Sequence, residues 1–248
     1  MSALVLVPSY HRAGATTVRR VFTDATLAVI ESEADEYRER EGGEIVVMPE
    51  EVGGNISRTR NWILDYGFQR SERVVMVDDD LTIFGRHEWN WQRSQYDAVH
   101  YDYGRVLDFI ENGFEMAEDL GIHLWGVNMQ SGPQSYLGYA PFSLVLPVLG
   151  PFTCVTKSAL RYDARLRLNE DYDYFLQHMQ RYRRVLRFNS HFYVCDHLRK
   201  PGGVTSYRTL DEERRQAETM VRKWGPEIVK YNFERSTNPR VRAPIPGC

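Results

Sequence analysis

The stretch VVMVDDDLTIF, Val74 to Phe84, decides the fold class. Its four leading apolar residues are too few for a helix and read as a strand buried on both faces, running straight into Asp78, Asp79 and Asp80. Open α/β sheets hold ligands beyond the carboxyl ends of such strands. Three adjacent carboxylates repel one another unless a cation or a donor cluster compensates. Hard oxygen donors suit Mg²⁺ or Mn²⁺, which keep several waters while joining one or two carboxylates to substrate phosphates. In an extended segment Asp78 and Asp80 point one way and Asp79 the other. Asp80, with or without Asp78, is therefore the expected metal ligand, and a solvated acidic loop is the alternative reading.

On the amino-terminal side, ALVLVPSY reads as another buried strand, closed by Pro8. Apolar residues between charges over 15–40 predict a helix, ended by Gly42 and Gly43, and EIVVMP at 44–49 predicts a strand. Asn55 is placed to cap a helix that runs through Arg60, Ile63 and Leu64 and stops at Gly67. On the carboxyl-terminal side, 104–120 reads as a helix and HLWGVNMQ as a strand. Alternation of this kind predicts a mostly parallel sheet with helices on both faces. The Gly- and Pro-rich stretch 131–153 reads as a loop with short strands bordering a site, 171–187 as a helix, HFYVCDH as a strand and 209–231 as a last helix. Residues 1–235 thus form one α/β domain, with a first half to 130 and a second from 131 to 235. The tail 236–248 reads as an irregular arm.

The 248 residues, 42% hydrophobic and 26% charged, exclude collagen-like and wholly disordered chains. No apolar run is long enough to span a bilayer, and the start lacks the charged front of a signal peptide, so a cytoplasmic location is expected. Three scattered cysteines, Cys154, Cys195 and Cys248, form neither a disulfide framework nor a metal spacing. The net charge of −3 conceals an asymmetry: residues 151–248 hold 19 Lys and Arg against 11 Asp and Glu, the first 150 residues 12 against 23. A basic half can hold a polyanion and an acidic half cations; two solvated surfaces are the plainer alternative.

Further chemistry-bearing residues flank the triplet. Tyr10 offers a stacking face for a base, and Arg12 and Arg58 offer planar forks for phosphate oxygens. Glu170, Asp171 and Asp173 open a predicted helix, where acids are also favoured simply by the helix dipole. His197 precedes a turn made by Pro201, Gly202 and Gly203, bracketed by Lys200 and Arg208, which could clamp a diphosphate as the glycine N–H groups approach it. Trp89, Trp91, Tyr96, Tyr101 and Tyr103 read as a loop beyond the triplet, able to stack beside a base or merely to pack. Arg161, Arg165, Arg167, Arg181, Arg183, Arg184, Arg187, Arg199, Arg214 and Arg215 suit a DNA backbone.

Taken in order, VPSYHRA, PEEVGGNISRTRN, VDDDLTIF, LNEDYDYF and KPGG resemble the GT-A glycosyltransferases, and among them the TET/JBP-associated glycosyltransferases of bacteriophages, over roughly residues 4–231. The resemblance implies a GT-A fold, a Rossmann-like single domain, and transfer of a hexose from a nucleotide diphosphate sugar, UDP-hexose first, to 5-hydroxymethylcytosine in phage DNA within the infected host's cytoplasm. It places Pro8, Ser9, Tyr10, Arg12, Arg58, Asn61, Asp79, Lys200, Gly202 and Gly203 around the donor. Asp78, Asp80 and His197 become ligands of Mn²⁺ or Mg²⁺. Asp171 becomes the general base, with Glu170 and Asp173 as the other candidates, and inversion is the simpler outcome. A third acid departs from a minimal DXD motif and leaves the ligand assignment open. The rival readings are a GT-A enzyme acting on a glycan, lipid or protein, a catalytically inactive DNA-binding module, and a nucleotidyltransferase.

Overall fold

The computed structural model describes residues 2–196, 203 and 207–243. Its centre is one mixed sheet. Strands β1 (Leu4–Pro8), β2 (Thr26–Ile30), β3 (Ile45–Met48) and β4 (Arg73–Val77) form a parallel half in the order β3-β2-β1-β4. The sheet continues through β9 (Phe152–Thr156), β7 (Leu124–Asn128), β10 (Leu186–Cys195), β5 (Leu81–Asn90) and β6 (Gln95–His100), with the two-residue β8 (Phe142–Ser143) beside β10. In this second half only β7 and β10 run parallel. The expected α/β domain is present, and its parallel character belongs to the half that carries the acid triplet.

Alternation along the strands builds two cores. Val75 and Val77 of β4 face a core with Tyr37 of α1 (Ala34–Arg40) and with Val106, Ile110 and Phe114 of α3 (Tyr103–Asp119). Val74 and Met76 face the other, with Ile63 and Leu64 of α2 (Ile56–Phe68) and Tyr174, Phe175 and Met179 of α4 (Glu170–Tyr182). Burial on both faces is what makes these strands near-continuous apolar runs.

Several expectations need correction. Residues 15–40 are not one helix: Thr26–Ile30 is a strand buried at every position, between a single turn at Val18–Arg20 and α1. The charges around it imitate a helical period, but TLAVI itself is continuously apolar, as a central parallel strand must be. Gly67 lies inside α2 rather than ending it; a Cβ there would sit 2.6 Å from Val74 Cγ2, so the glycine lets helix and sheet approach. The supposed loop holding Trp89 and Tyr96 is the hairpin β5–β6, Tyr101 follows it, and Tyr103 opens α3. At 3.3 Å per residue, Trp91 stands on the order of 30 Å along the strand from Asp80, away from the triplet. The last helix, α5 (Leu210–Trp224), ends at Gly225. The tail is not wholly irregular, because β11 (Val229–Asn232) and β12 (Ser236–Val241) pair as an antiparallel hairpin. Among the described residues no helix is long and apolar enough to cross a membrane.

Candidate active site

A cavity of about 420 Å³ opens where β1 and β4 end, lined by Pro8, Ser9, Tyr10 and Arg12 from the first loop, by Asp78, Asp79 and Asp80, and by Glu170 and Asp171 from the first turn of α4. Strand β4 ends at Val77, and the three acids lie in the turn after it, where the Leu81 N–H donates to the Asp78 carbonyl at 3.2 Å. The expectation that an extended backbone turns Asp78 and Asp80 one way and Asp79 the other does not hold, because Arg12 Nη1 reaches both Asp79 and Asp80. Asp78 meets Arg60 of α2, with Nη2 3.2 Å from Oδ1. Asp79 meets the loop after β1, where Ser9 Oγ donates to its Oδ2 at 2.5 Å and Arg12 Nη1 to its Oδ1 at 2.5 Å. Tyr37 completes this knot: its Oη lies 2.7 Å from Ser9 Oγ and accepts from the Arg12 backbone N–H. Burial pushes the Asp79 carboxyl up to about 6, against the pull of Arg12 and Ser9. Asp80, also buried, lies 3.4 Å from Arg12 Nη1.

Ser9, Arg12, Tyr37 and Asp79 are thus bonded to one another, which fixes the loop after β1 to the turn after β4. Asp78 and Asp80 line the same cavity, held by Arg60 and Arg12. Among the described residues no group of three His, Cys, Asp or Glu encloses an ion. Two hard carboxylates beside a cavity nevertheless match the donor set of a Mg²⁺ or Mn²⁺ that takes its remaining ligands from water and phosphate. His197, Lys200 and Gly202 lie outside the described residues.

The opposite wall is the start of α4. Asn169, its N-cap, holds a left-handed backbone at φ 62°, which asparagine tolerates better than most residues, and its buried Nδ2 has no hydrogen-bond partner among the described residues. Asp171 is half-buried, its Oδ2 accepting from the Gly150 N–H at 3.1 Å and its Oδ1 from its neighbour's N–H at 2.8 Å. Glu170 is buried, which pushes its carboxyl up to about 7 despite Arg60 at 3.8 Å. Asp173 faces away from the cavity with no exposed surface: it accepts from Trp224 Nε1 at 2.7 Å, Gln177 Nε2 at 2.8 Å and Lys223 Nζ at 2.8 Å. Asp173 is therefore no base candidate, because three donors enclose it four residues beyond the helix cap.

Other expected donor residues are displaced as well. Arg58 is exposed, its guanidinium bonds the Glu51 carbonyl at 3.3 Å, and it does not line the cavity. Arg60 does, buried on the α2 face that carries Ile63 and Leu64. Burial works against its charge, but Asp78, Tyr162 and Glu170 more than offset it and raise its pKa. Asn61 clamps the backbone of Tyr162 with bonds of 2.8 and 2.7 Å instead of facing a ligand. Gly203 lines the cavity, yet its N–H donates to the Tyr10 carbonyl at 2.9 Å and is not available to a diphosphate. Of the ten arginines expected to meet DNA, Arg161, Arg165, Arg167 and Arg215 are ion-paired with Asp65, Asp163 and Glu212, and Arg187 is half-buried. Arg199 lies outside the described residues, and Arg181, Arg183, Arg184 and Arg214 are exposed. Arg60, Asn169, Tyr193, Thr237 and Asn238 line the cavity without having been expected there.

The parallel strands thus end at carboxylates with guanidinium groups held behind them. The chain belongs to the family described as TET-Associated Glycosyltransferase, whose profile matches residues 6–203. None of the curated proteins matches it. Among solved structures it is similar to S. aureus TarS 1-349, at 13% identity and a TM-score of 0.45 over 89% of this chain, and it spans 66% of the length of that one. It is also similar to A197 from STIV, at 12% identity and a TM-score of 0.40 over 79% of this chain and 85% of that one.

Proposed function

We propose that the protein transfers a hexose from a nucleotide diphosphate sugar, UDP-hexose, to the hydroxymethyl group of 5-hydroxymethylcytosine in DNA. The observation that carries this reading is the convergence of Asp78 and Asp80 with Glu170 and Asp171 on one cavity, backed by the buried cations Arg12 and Arg60. The family's description as TET-associated supports an acceptor in DNA.

Each residue has a physical role. Tyr10, half-buried at the end of β1, offers its ring to the nucleobase. Arg12 and Arg60 hold Asp80 and Asp78 in position and set a positive field behind the diphosphate. Asp78 and Asp80 would hold Mg²⁺ or Mn²⁺, which would supply positive charge against the negative charge developing on the departing diphosphate. Asp171, oriented by the Gly150 N–H, takes the proton from the acceptor hydroxyl. The hydroxyl oxygen bonds to the anomeric carbon as the bond to the diphosphate oxygen breaks, and the nucleoside diphosphate leaves. A single displacement with one base gives inversion. Glu170 is buried, and burial favours its neutral form, which lacks the negative charge that would accept the proton.

The test is intact-mass analysis of nucleosides from hydroxymethylated DNA after incubation with a panel of nucleotide sugars and Mn²⁺. A hexose-sized gain on hydroxymethylcytosine is the expected result. Labelling of a carbohydrate, lipid or protein with none on DNA overturns the acceptor, and release of pyrophosphate in place of nucleoside diphosphate overturns the reaction class.

A further inference from the structure

The family profile stops at residue 203, but the cavity does not: Thr237 and Asn238 of β12 line it as well. How the chain brings them there is visible step by step. Helix α5 packs Met220 into the core beneath α4, and Lys223 and Trp224 at its end bond Asp173 of α4. Gly225, at φ 86°, then turns the chain, and Val229 enters the same core and starts the β11–β12 hairpin. The hairpin is therefore fastened to the helix whose first turn carries Asp171.

Its side of the cavity can be identified. Tyr231 of β11 packs against the same core as Tyr172 of α4, the residue next to Asp171, and its buried hydroxyl has no hydrogen-bond partner among the described residues. Tyr10 after β1, with Ile30 and Met48 at the ends of β2 and β3, forms another part of the lining. Thr237 is half-buried and Asn238 exposed; the Asn238 backbone N–H donates to Ser236 Oγ at 3.0 Å, and no other described residue hydrogen-bonds its side-chain amide. A hydroxyl and an uncharged amide offer both donors and acceptors, which suits the edge of a nucleobase better than a phosphate.

Resting on the functional reading above, we infer that the carboxyl-terminal hairpin completes the acceptor subsite, with Thr237 and Asn238 hydrogen-bonding the edge of the pyrimidine whose hydroxymethyl group is presented to Asp171. Both positions are at the rim, so substitution there leaves the core intact. The experiment is steady-state kinetics of the full chain with a short duplex containing 5-hydroxymethylcytosine, varying DNA and nucleotide sugar in turn. Asn238→Ala is expected to raise the KM for DNA about tenfold, as loss of a base-edge contact does, with the KM for the sugar donor unchanged. Thr237→Val is expected to act in the same direction and Thr237→Ser, which keeps the hydroxyl, to restore the wild-type value. A rise in the donor KM alone, or variants indistinguishable from wild type on a DNA that the wild type labels, overturns this inference and leaves the functional reading standing. A wild type that labels no DNA overturns both.

Discussion

The two acidic clusters are built alike and differ in how they divide their labour. Each puts three carboxylates within a few residues, and in each one acid is tied to the protein by two or more donors. In the cluster after β4 that acid is Asp79, taken by Ser9 and Arg12. In the helix cluster it is Asp173, taken by Lys223, Trp224 and Gln177. The two differ in where they end up: Asp79, in a turn, still lines the cavity beside Asp78 and Asp80, whereas the helical turn carries Asp173 away from Asp171 and out of the cavity lining.

The sharpest break of this comparison lies between a ligand and a base. Asp80→Ala should remove Mn²⁺-dependent donor binding and lower turnover by roughly 10²-fold or more. Asp171→Asn should leave donor binding intact and lower kcat by about 10²–10⁴-fold. Calorimetric titration of the donor beside single-turnover transfer separates the two; equal loss of binding in both variants contradicts the division.

An acid tied into the protein should fail differently. Asp173→Ala leaves the Trp224 N–H and the Gln177 amide without their buried acceptor, at about 3 kcal/mol together, while Lys223 keeps Asp163 at 2.9 Å. That corresponds to a fall in Tm on the order of 10 °C for a chain of this size. Differential scanning calorimetry reads the loss, and activity well below the lowered Tm should persist, because Asp173 touches no part of the cavity.

Glu170 gives a smaller effect with a definite sign. Its carboxyl rises from 4.5 to about 7 in the folded chain because of burial, opposed by Arg60 and reinforced by Asp171 and Asp78. Between those values the folded protein keeps a proton that the unfolded chain has released, so the group's contribution is complete below pH 4.5 and is lost as pH rises through 7. The displacement is worth roughly 3 kcal/mol, less whatever pairing Arg60 loses on substitution. Glu170→Gln should therefore unfold at higher temperature than wild type at pH 8 and at nearly the same temperature at pH 4.5. A pH-independent difference would mean that Glu170 is ionised throughout.

What the sequence disclosed followed from local geometry. Asn55 marked the start of α2, where its side chain accepts from the Ser57 and Arg58 N–H groups, whereas alternation failed for the acids, because they lie in the turn after β4 and Arg12 reaches both Asp79 and Asp80. Roles that depend on distant partners were illegible: nothing near Asp173 announces Lys223 or Trp224, fifty residues on. Thr26–Ile30 was hidden because flanking charges imposed a helical rhythm on a strand with no polar face. The β11–β12 hairpin was hidden by its prolines, although Pro239 sits buried within β12.

Arg58 and Arg60 show a signal that was present and not used. Two residues on a helix are about 200° apart, so once Asn55 fixes the start of α2, only one of the pair can share the face of Ile63 and Leu64. Three and four residues before those apolar positions stands Arg60, buried against Asp78 and Glu170. Arg58, exposed and bonded to a single carbonyl, carries the smallest expected effect. Arg58→Ala should shift stability by no more than about 0.5 kcal/mol and leave both donor KM and kcat at their wild-type values in the same transfer assay. A clear rise in donor KM would place a phosphate on the outer face of α2 and move the donor site out of the cavity described above.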